Sequence, residues 1–149
     1  MFWIVGEGEE DKALRSFADG NNLKNVKFYG SVPHDSLPDL YQRSDFFILP
    51  SLSEGNPLAL LEAMACGLPI IVSDAPSLSA LSQESGAGFF FRKQDALQLF
   101  QLIKSSLNLK SNEVEDLRVK ARSFAEVSCS WDKVASSIDE IYRGLQNAK

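Results

Sequence analysis

The sequence has 149 residues, of which 44% are hydrophobic and 23% are charged, a length and composition typical of a globular domain with a hydrophobic core. Its 20 acidic residues outnumber its 15 basic ones, for a formal charge of −5 at pH 7, which argues against a nucleic-acid partner and against an anionic membrane surface. Because it has no bilayer-length apolar run, no signal-peptide pattern and no metal-like spacing of its two cysteines, we expect a cytoplasmic protein with reduced thiols.

Short β-rich segments alternate with helical patterns as far as residue 91. In chain order, the sequence predicts a strand at residues 2–5, a helix at 9–19, a strand at 26–29, a loop at 33–36, a helix at 37–43, a strand at 45–49, a helix at 58–66, a strand at 70–73, a helix at 77–83 and a strand at 88–91. Gly67 and Pro69 end the helix at 58–66. Strands that alternate with helices in this way predict a parallel α/β sheet with helices on both faces.

Beyond Arg92 the pattern is helical only. Three segments carry apolar residues at helical spacing, and we interpret these stripes as packing surfaces. The stripes are Leu97, Phe100, Ile103 and Leu107; Leu117, Ala121 and Phe124; and Val134, Ile138, Ile141 and Leu145. Because no linker rich in Pro, Gly or Ser and no repeat interrupts the chain, we predict a single domain over residues 1–149.

Two glutamates eight positions apart, Glu54 and Glu62, are the strongest functional signal in the chain. Between them, Asn56 is expected to cap a helix whose first residue is Pro57, so Glu54 should lie in the preceding loop. From residue 58 to residue 66 every residue except Glu62 is apolar, and a helix that is apolar all round is normally buried. A buried carboxylate needs hydrogen-bond donors, so we expect Glu62 to meet ligand hydroxyls or backbone amides.

Four loops follow the predicted strands, at residues 6–8, 30–34, 50–56 and 73–76, and they should share the edge where the strands end. The helix start at residues 55–58 is the natural anion site among them, because the first amides of a helix have no intrahelical partner. A nucleoside diphosphate fits this edge, with its phosphates at the helix start and its ribose diol at Glu62.

Four segments, in their order along the chain, resemble glycosyltransferase family 4 (group 1). They are residues 5–9, residues 26–33, residues 40–41 with 44–51, and residues 54–69, and Glu54 and Glu62 match the family's E-x7-E signature. The resemblance extends from Phe2 to about Leu145. It implies a two-lobed GT-B enzyme, of which this chain resembles the C-terminal, sugar-nucleotide-binding lobe: a Rossmann-like parallel sheet followed by C-terminal helices.

The resemblance also implies a role for each matching residue. Glu54 would be catalytic, reaching the transferred sugar and the reacting end of the donor, and Glu62 would accept hydrogen bonds from the donor ribose. Residues 56–58 would hold the distal phosphate through backbone amides, residues 6–8 would line the donor cleft, and residues 32–33 would contact the base. Besides Glu62, the implied donor-binding residues are Gly6, Glu7, Gly8, Val32, Pro33, Gly55, Asn56, Pro57 and Leu58.

By the same resemblance, the chain is the donor-binding half of a retaining glycosyltransferase that moves a hexosyl group from a nucleoside diphosphate sugar to a glycan, lipid or other acceptor. Retention would follow a front-face route in which the leaving phosphate helps to deprotonate the acceptor. The nucleotide sugar is a substrate, and neither a cofactor nor a metal is expected. An N-terminal lobe outside this sequence would bind the acceptor, and peripheral membrane association through that lobe is left open.

The sequence departs from the family pattern in three places. It begins after the first strand of the lobe and after a Gly-Arg turn and a Lys that neutralise the diphosphate. Each such donor is commonly worth about 3–4 kcal/mol in the transition state, so we expect this chain alone to be inactive. The absent strand is a central one in the family's sheet, so the strands on either side of it must pair with each other, remain apart or pair with a strand from another chain. The last of these outcomes leaves self-association open. Residues 77–81 replace a glycine-rich stretch that contains a glutamate, so sugar contacts there are in doubt.

Several alternatives stay open at this stage. A nucleotide-sugar epimerase of the same fold or a non-catalytic nucleotide-binding remnant would share these motifs. A dinucleotide-binding oxidoreductase is disfavoured because Gly6 and Gly8 are not followed by the third glycine of its fingerprint. A receiver-like signalling module is disfavoured because Asp45 begins the third strand instead of ending it. Glu54 as a solvated loop acid and Glu62 as a structural carboxylate are the purely structural interpretations.

Overall fold

A computed structural model describes residues 1–146. The chain forms two compact units, Met1–Asp39 and Leu40–Lys149. The domain predicted over residues 1–149 reaches beyond the described range, and its status as one domain stays a prediction.

The first unit contains a two-stranded parallel sheet and one long helix. Its elements are β1 (Phe2–Val5), α1 (Asp11–Gly20), β2 (Val26–Gly30) and a short 3-10 turn at His34–Ser36. Phe2 lies opposite Val26 in the ladder, and the register shifts between Ile4 and Val5. Among the residues of this unit, all of which are described, only Ala18 is buried. The first unit therefore has little core of its own.

The second unit contains a three-stranded parallel sheet of order β3-β4-β5. After α2 (Leu37–Gln42), which begins in the first unit, come β3 (Phe47–Leu49), α3 (Leu58–Ala65), β4 (Ile70–Ser73), α4 (Pro76–Ser85), β5 (Gly88–Phe91), α5 (Ala96–Ser106), α6 (Ser111–Ser128) and α7 (Trp131–Gln146). All four residues of β4 are buried, as expected for the central strand of a sheet covered on both faces. Gly88 lies opposite Ile70, whose carbonyl oxygen a Cβ at position 88 would overlap.

The hydrophobic core of the second unit is built around α3, β4 and α4. Alanines of α6 complete it, and α3 and α6 pack against each other. Its buried members are Leu60, Met64, Ile70, Val72, Ala75, Leu78, Ala87, Ala121 and Ala125. The strands β3 and β4 and the helix α3 pack on this core. Glu54 lies in the loop before α3, and Glu62 lies within α3.

The predicted fold class, parallel α/β with C-terminal helices, is confirmed. The strands at residues 2–5, 70–73 and 88–91 begin and end where the sequence predicts. The five strands lie in two sheets and not in one continuous sheet.

The interpretation of the C-terminal stripes as packing surfaces is only partly right. In α6, Ala121 is buried and its neighbours on the same stripe are half-buried, as expected. The stripe of α7 is instead 40% to 64% exposed, and Leu97, Phe100 and Leu107 of the α5 region are 61% to 70% exposed. Periodicity identifies the apolar face of a helix, but it cannot show whether a neighbouring element covers that face.

Candidate functional site

Helix α3 is not buried all round, contrary to the prediction. Leu60, Ala63 and Met64 are buried against the core, whereas Leu58 is 54% exposed and Ala65 is exposed. Residues four apart share a helix face, so Glu62 lies on the same uncovered side as Leu58. The argument that Glu62 has no solvated face is therefore wrong. Its side chain is half-buried, at the border between core and surface.

A tyrosine from α2 holds the Glu62 carboxylate. Tyr41 is 8% exposed, and its hydroxyl donates a hydrogen bond to Glu62 Oε2 at 3.4 Å. Its ring packs edge-on against Phe47 in β3, with centroids 5.9 Å apart. Burial, the negative charge of Glu62 and this hydrogen bond raise the pKa of Tyr41 to about 12. Tyr41 has no predicted role, because no local pattern in the sequence relates it to Glu62, which lies 21 positions later.

Glu54 is half-buried in the loop between β3 and α3, where two serine hydroxyls hold it. Ser51 Oγ donates to Glu54 Oε1 at 2.5 Å, and Ser77 Oγ donates to the main-chain oxygen of Glu54 at 2.8 Å. Ser73 at the end of β4 donates to the main-chain oxygen of Ser51. These serines were missed as site residues, although the positions of Ser51 and Ser73 at the ends of neighbouring strands were an available signal.

The start of α3 differs from the prediction by one residue. Pro57 occupies the N-cap position instead of the first helical position, and no side chain caps the helix, so the predicted Asn56 cap is wrong. The main-chain oxygen of Asn56 accepts instead from Leu58 N at 2.9 Å. This is an inverse γ-turn centred on Pro57, whose φ of −80° and ψ of 70° suit such a turn, because the proline ring restricts φ to this region.

Three backbone amides near this helix start remain available for a ligand. The N–H groups of Gly55, Asn56 and Ala59 donate no hydrogen bond within the part of the chain that the structure describes. Of the predicted segment Asn56 to Leu58, Pro57 has no donor and the Leu58 amide is already engaged. Ala59, the second residue of α3, was not among the predicted residues, and counting the first amides of the helix would have found it.

In the first unit, the predicted residues at the ends of β1 and β2 lie together. Gly6 N donates to Gly30 O at 2.8 Å, and Ser31 N donates to Glu7 Oε1 at 3.1 Å. Gly6 has a φ of 120° and Gly30 a φ of 68°, conformations that a residue with a side chain rarely adopts. The loop at residues 6–8 is therefore joined to the turn that leads to residues 32–33.

The four loops predicted at one sheet edge are divided between the two units. Within the first unit, the loops after β1 and β2 share an edge, and within the second unit the loops after β3 and β4 do so through Ser51 and Ser73. Two surface depressions of the second unit lie elsewhere: a groove of about 270 Å³ beside Cys66 and Arg118, and one of about 370 Å³ beside Phe89 and Leu102. Neither depression contains a predicted site residue.

Within residues 1–146, no three His, Cys, Asp or Glu side chains are grouped so that they could hold a metal ion. None of the helices in the same range is both long and apolar enough to span a bilayer.

Comparison with known proteins identifies the family. Residues 1–124 match the family described as glycosyl transferases group 1. The chain belongs to this family. The amylovoran biosynthesis glycosyltransferase AmsK of Erwinia amylovora is 30% identical over 139 residues, which cover 89% of this chain and 33% of that protein.

Solved structures of glycosyltransferases superpose on nearly the whole chain. Sucrose-phosphate synthase from Thermosynechococcus elongatus is 25% identical, with a TM-score of 0.83 over 99% of this chain and 39% of its own. Anabaena Alr3699/HepE, solved in complex with UDP and glucose, is 23% identical, with a TM-score of 0.82 over 95% of this chain and 40% of its own. The chain thus spans between 33% and 40% of the length of these three proteins.

The family match confirms the predicted recognition of a group 1 glycosyltransferase and of its C-terminal lobe. The same match argues against a dinucleotide-binding oxidoreductase and against a receiver-like signalling module.

Proposed function

We propose that this chain is the donor-binding part of a retaining glycosyltransferase that transfers a hexosyl group from a nucleoside diphosphate sugar. One observation carries the proposal: the two E-x7-E carboxylates flank the start of α3, and each accepts a hydrogen bond from a hydroxyl. The group 1 family match supports the reaction class. UDP and glucose in Alr3699/HepE and the amylovoran pathway of AmsK support a nucleotide-sugar donor and a glycan acceptor.

The start of α3 is suited to the distal phosphate of the donor. The amides of Gly55, Asn56 and Ala59 can donate to phosphate oxygens, and the helix dipole adds roughly half a positive charge at this end. This partial charge offsets some of the repulsion between the diphosphate and the two carboxylates. In this proposal the distal phosphate binds through these backbone amides.

Glu62 and Glu54 act on different parts of the donor in this proposal. Glu62 lies on the uncovered side of α3, one turn after Leu58, where its carboxylate can accept from the ribose diol. Glu54 precedes the helix start and faces the transferred sugar. The implied roles of Gly6, Glu7 and Gly8 in the donor cleft and of residues 32–33 at the base stay predictions from the family resemblance.

The acceptor side of the reaction lies outside this chain in the proposal. The chain spans 33% of AmsK, so acceptor binding falls to the rest of a longer enzyme, and this chain alone binds donor without transferring sugar. A cytoplasmic location, peripheral membrane association and self-association stay predictions.

Calorimetric titration of the 149-residue chain with UDP, GDP and ADP tests the proposal. We expect at least one nucleotide to bind and Glu62→Ala to weaken it about tenfold to a hundredfold, since a hydrogen bond to a charged group is worth about 1.5–3 kcal/mol. The 2′,3′-dideoxy form of the same nucleotide isolates the ribose contact. Wild type should prefer the ribose form, and Glu62→Ala should not.

Glu84→Ala is the matched control, because it removes an exposed acid from α4 without touching the site. It should bind nucleotide as wild type does. No binding at millimolar nucleotide, or an unchanged preference for ribose in Glu62→Ala, would overturn the ribose role.

A further inference from the structure

We infer that Ser51, Ser73 and Ser77 form a serine clamp that positions Glu54 toward the sugar of the donor. This inference rests on the proposed function, in which Glu54 faces the transferred sugar. The three serines are positioning residues, since they act through Glu54 and touch no substrate.

The clamp connects two elements, β4 and α4, to the loop between β3 and α3. Ser73, at the end of β4, is fully buried and donates to the main-chain oxygen of Ser51 just after β3. Ser77, in the first turn of α4, donates to the main-chain oxygen of Glu54 at 2.8 Å. The loop between β3 and α3 is therefore fixed at both residue 51 and residue 54. Its backbone is attached to β4 at one point and to α4 at the other.

The side chain of Glu54 is fixed as well as its backbone. Ser51 Oγ donates to Glu54 Oε1 at 2.5 Å, at the short end of the range for hydrogen bonds between a hydroxyl and an oxygen acceptor. A free glutamate in a loop samples many rotamers, and a group that must meet one sugar hydroxyl gains from being held in place before binding. Hydrogen bonds to both its carboxylate and its main chain give Glu54 this preorganisation.

Ser77 gives the unusual segment after β4 a function. Residues 77–81 replace the glycine-rich stretch expected from the family resemblance, which left the sugar contacts of this segment in doubt. In the structure, Ser77 contacts the main chain of Glu54. The segment thus supports Glu54 from the protein side, and Glu54 makes the contact with the sugar.

The test measures how much the sugar adds to nucleotide binding. Calorimetry gives the dissociation constant of UDP and of UDP-glucose, UDP-galactose, UDP-N-acetylglucosamine and UDP-N-acetylgalactosamine for the 149-residue chain. The sugar with the largest effect defines a ratio, the dissociation constant of UDP divided by that of the UDP-sugar. Glu54→Ala should bring this ratio to about one.

Ser51→Ala and Ser77→Ala should each lower the ratio about threefold to tenfold and leave UDP affinity unchanged, since each removes one hydrogen bond that holds Glu54. Ser51→Thr, which keeps the hydroxyl, should retain the wild-type ratio. In a Glu54→Ala background, Ser51→Ala should have no further effect. A purely structural role would instead weaken UDP and the UDP-sugar together.

Ser79→Ala is the matched control, because Ser79 Oγ bonds only to Ala75 O and Pro76 O at the start of its own helix. It should leave the ratio unchanged, and circular dichroism should show that every variant is folded. If Glu54→Ala lowers the ratio but Ser51→Ala and Ser77→Ala do not, the clamp is overturned and the proposed function stands. If none of UDP, GDP and ADP binds, the proposed function fails and the clamp fails with it, and if only GDP or ADP binds, its own sugar forms replace the UDP-sugars in the ratio. If a nucleotide binds but no sugar gives a ratio that depends on Glu54, the clamp is overturned.

Discussion

At the scale of single residues, the two glutamates of the site each accept a hydrogen bond from a hydroxyl group. Each carboxylate accepts from a hydroxyl supplied by another part of the second unit: Tyr41 for Glu62 and Ser51 for Glu54. A hydroxyl that donates to a carboxylate occupies one of its roughly four lone-pair sites. In the proposed function, sugar hydroxyls donate to other sites of the same two carboxylates.

Replacing Tyr41 by Phe should change how stability depends on alkaline pH. The pKa of Tyr41 is raised from 10.0 to about 12 by burial, by the charge of Glu62 and by their hydrogen bond. An unfolded tyrosine loses its proton near pH 10.0 while the folded one keeps it, so wild-type stability falls as pH rises from there toward 12. The stability advantage of wild type over Tyr41→Phe should therefore shrink between about pH 10 and pH 11.

Urea denaturation at a series of pH values measures this difference. Tyr142→Phe serves as the control, because it removes an exposed phenol and should leave the shape of the wild-type pH profile unchanged. A constant difference between wild type and Tyr41→Phe up to pH 11 would mean that Glu62 and burial do not hold the Tyr41 proton.

At the scale of elements, α3 has one face in the core and one face open. Leu60 is fully buried and belongs to the hydrophobic core, whereas Leu58, two residues earlier, is half exposed. The helix is nonetheless apolar on both faces, which is why the sequence predicted a helix covered all round. In the proposed function, this exposed apolar face beside Glu62 is part of the surface that contacts the donor.

Leu60→Ala should destabilise the second unit by about 2–5 kcal/mol, because it leaves a cavity in a close-packed core. Leu58→Ala makes the same chemical change on the open face of the same helix, and it should alter stability by no more than about 0.5 kcal/mol. Urea denaturation followed by circular dichroism compares the two variants. Equal losses would show that Leu58 is as well packed as Leu60 and that α3 has no open face.

The sequence predicts elements better than it predicts partners. The strands Phe2–Val5, Ile70–Ser73 and Gly88–Phe91 are predictable because short apolar runs flanked by glycine, proline or serine are local signals. The contacts of the site are not local: Tyr41 lies 21 residues before Glu62, and Ser77 lies 23 residues after Glu54. The family resemblance supplies roles for the glutamates, but only the folded chain shows which hydroxyls hold them.

At the scale of the whole molecule, the two units have very different cores. Every residue of the hydrophobic core cluster lies in the second unit, and the first unit buries only Ala18. A two-stranded sheet with a single helix is marginally stable, and chains below roughly 40 residues usually need additional stabilisation. The residues of the first unit should therefore open at a lower free energy than the residues around β4.

Hydrogen exchange at two matched amides tests this expectation. Gly6 N donates to Gly30 O in the first unit, and Asp74 N donates to Phe91 O in the second, both at 2.8 Å and both at the carboxyl end of a parallel strand pair. Because the two bonds are equivalent locally, a difference in protection reports the stability of the surrounding unit. The Gly6 amide should exchange at least about tenfold faster than the Asp74 amide, after correction for intrinsic rates. Equal protection would mean that the first unit opens only when the second unfolds, so that its sparse core would not limit its stability.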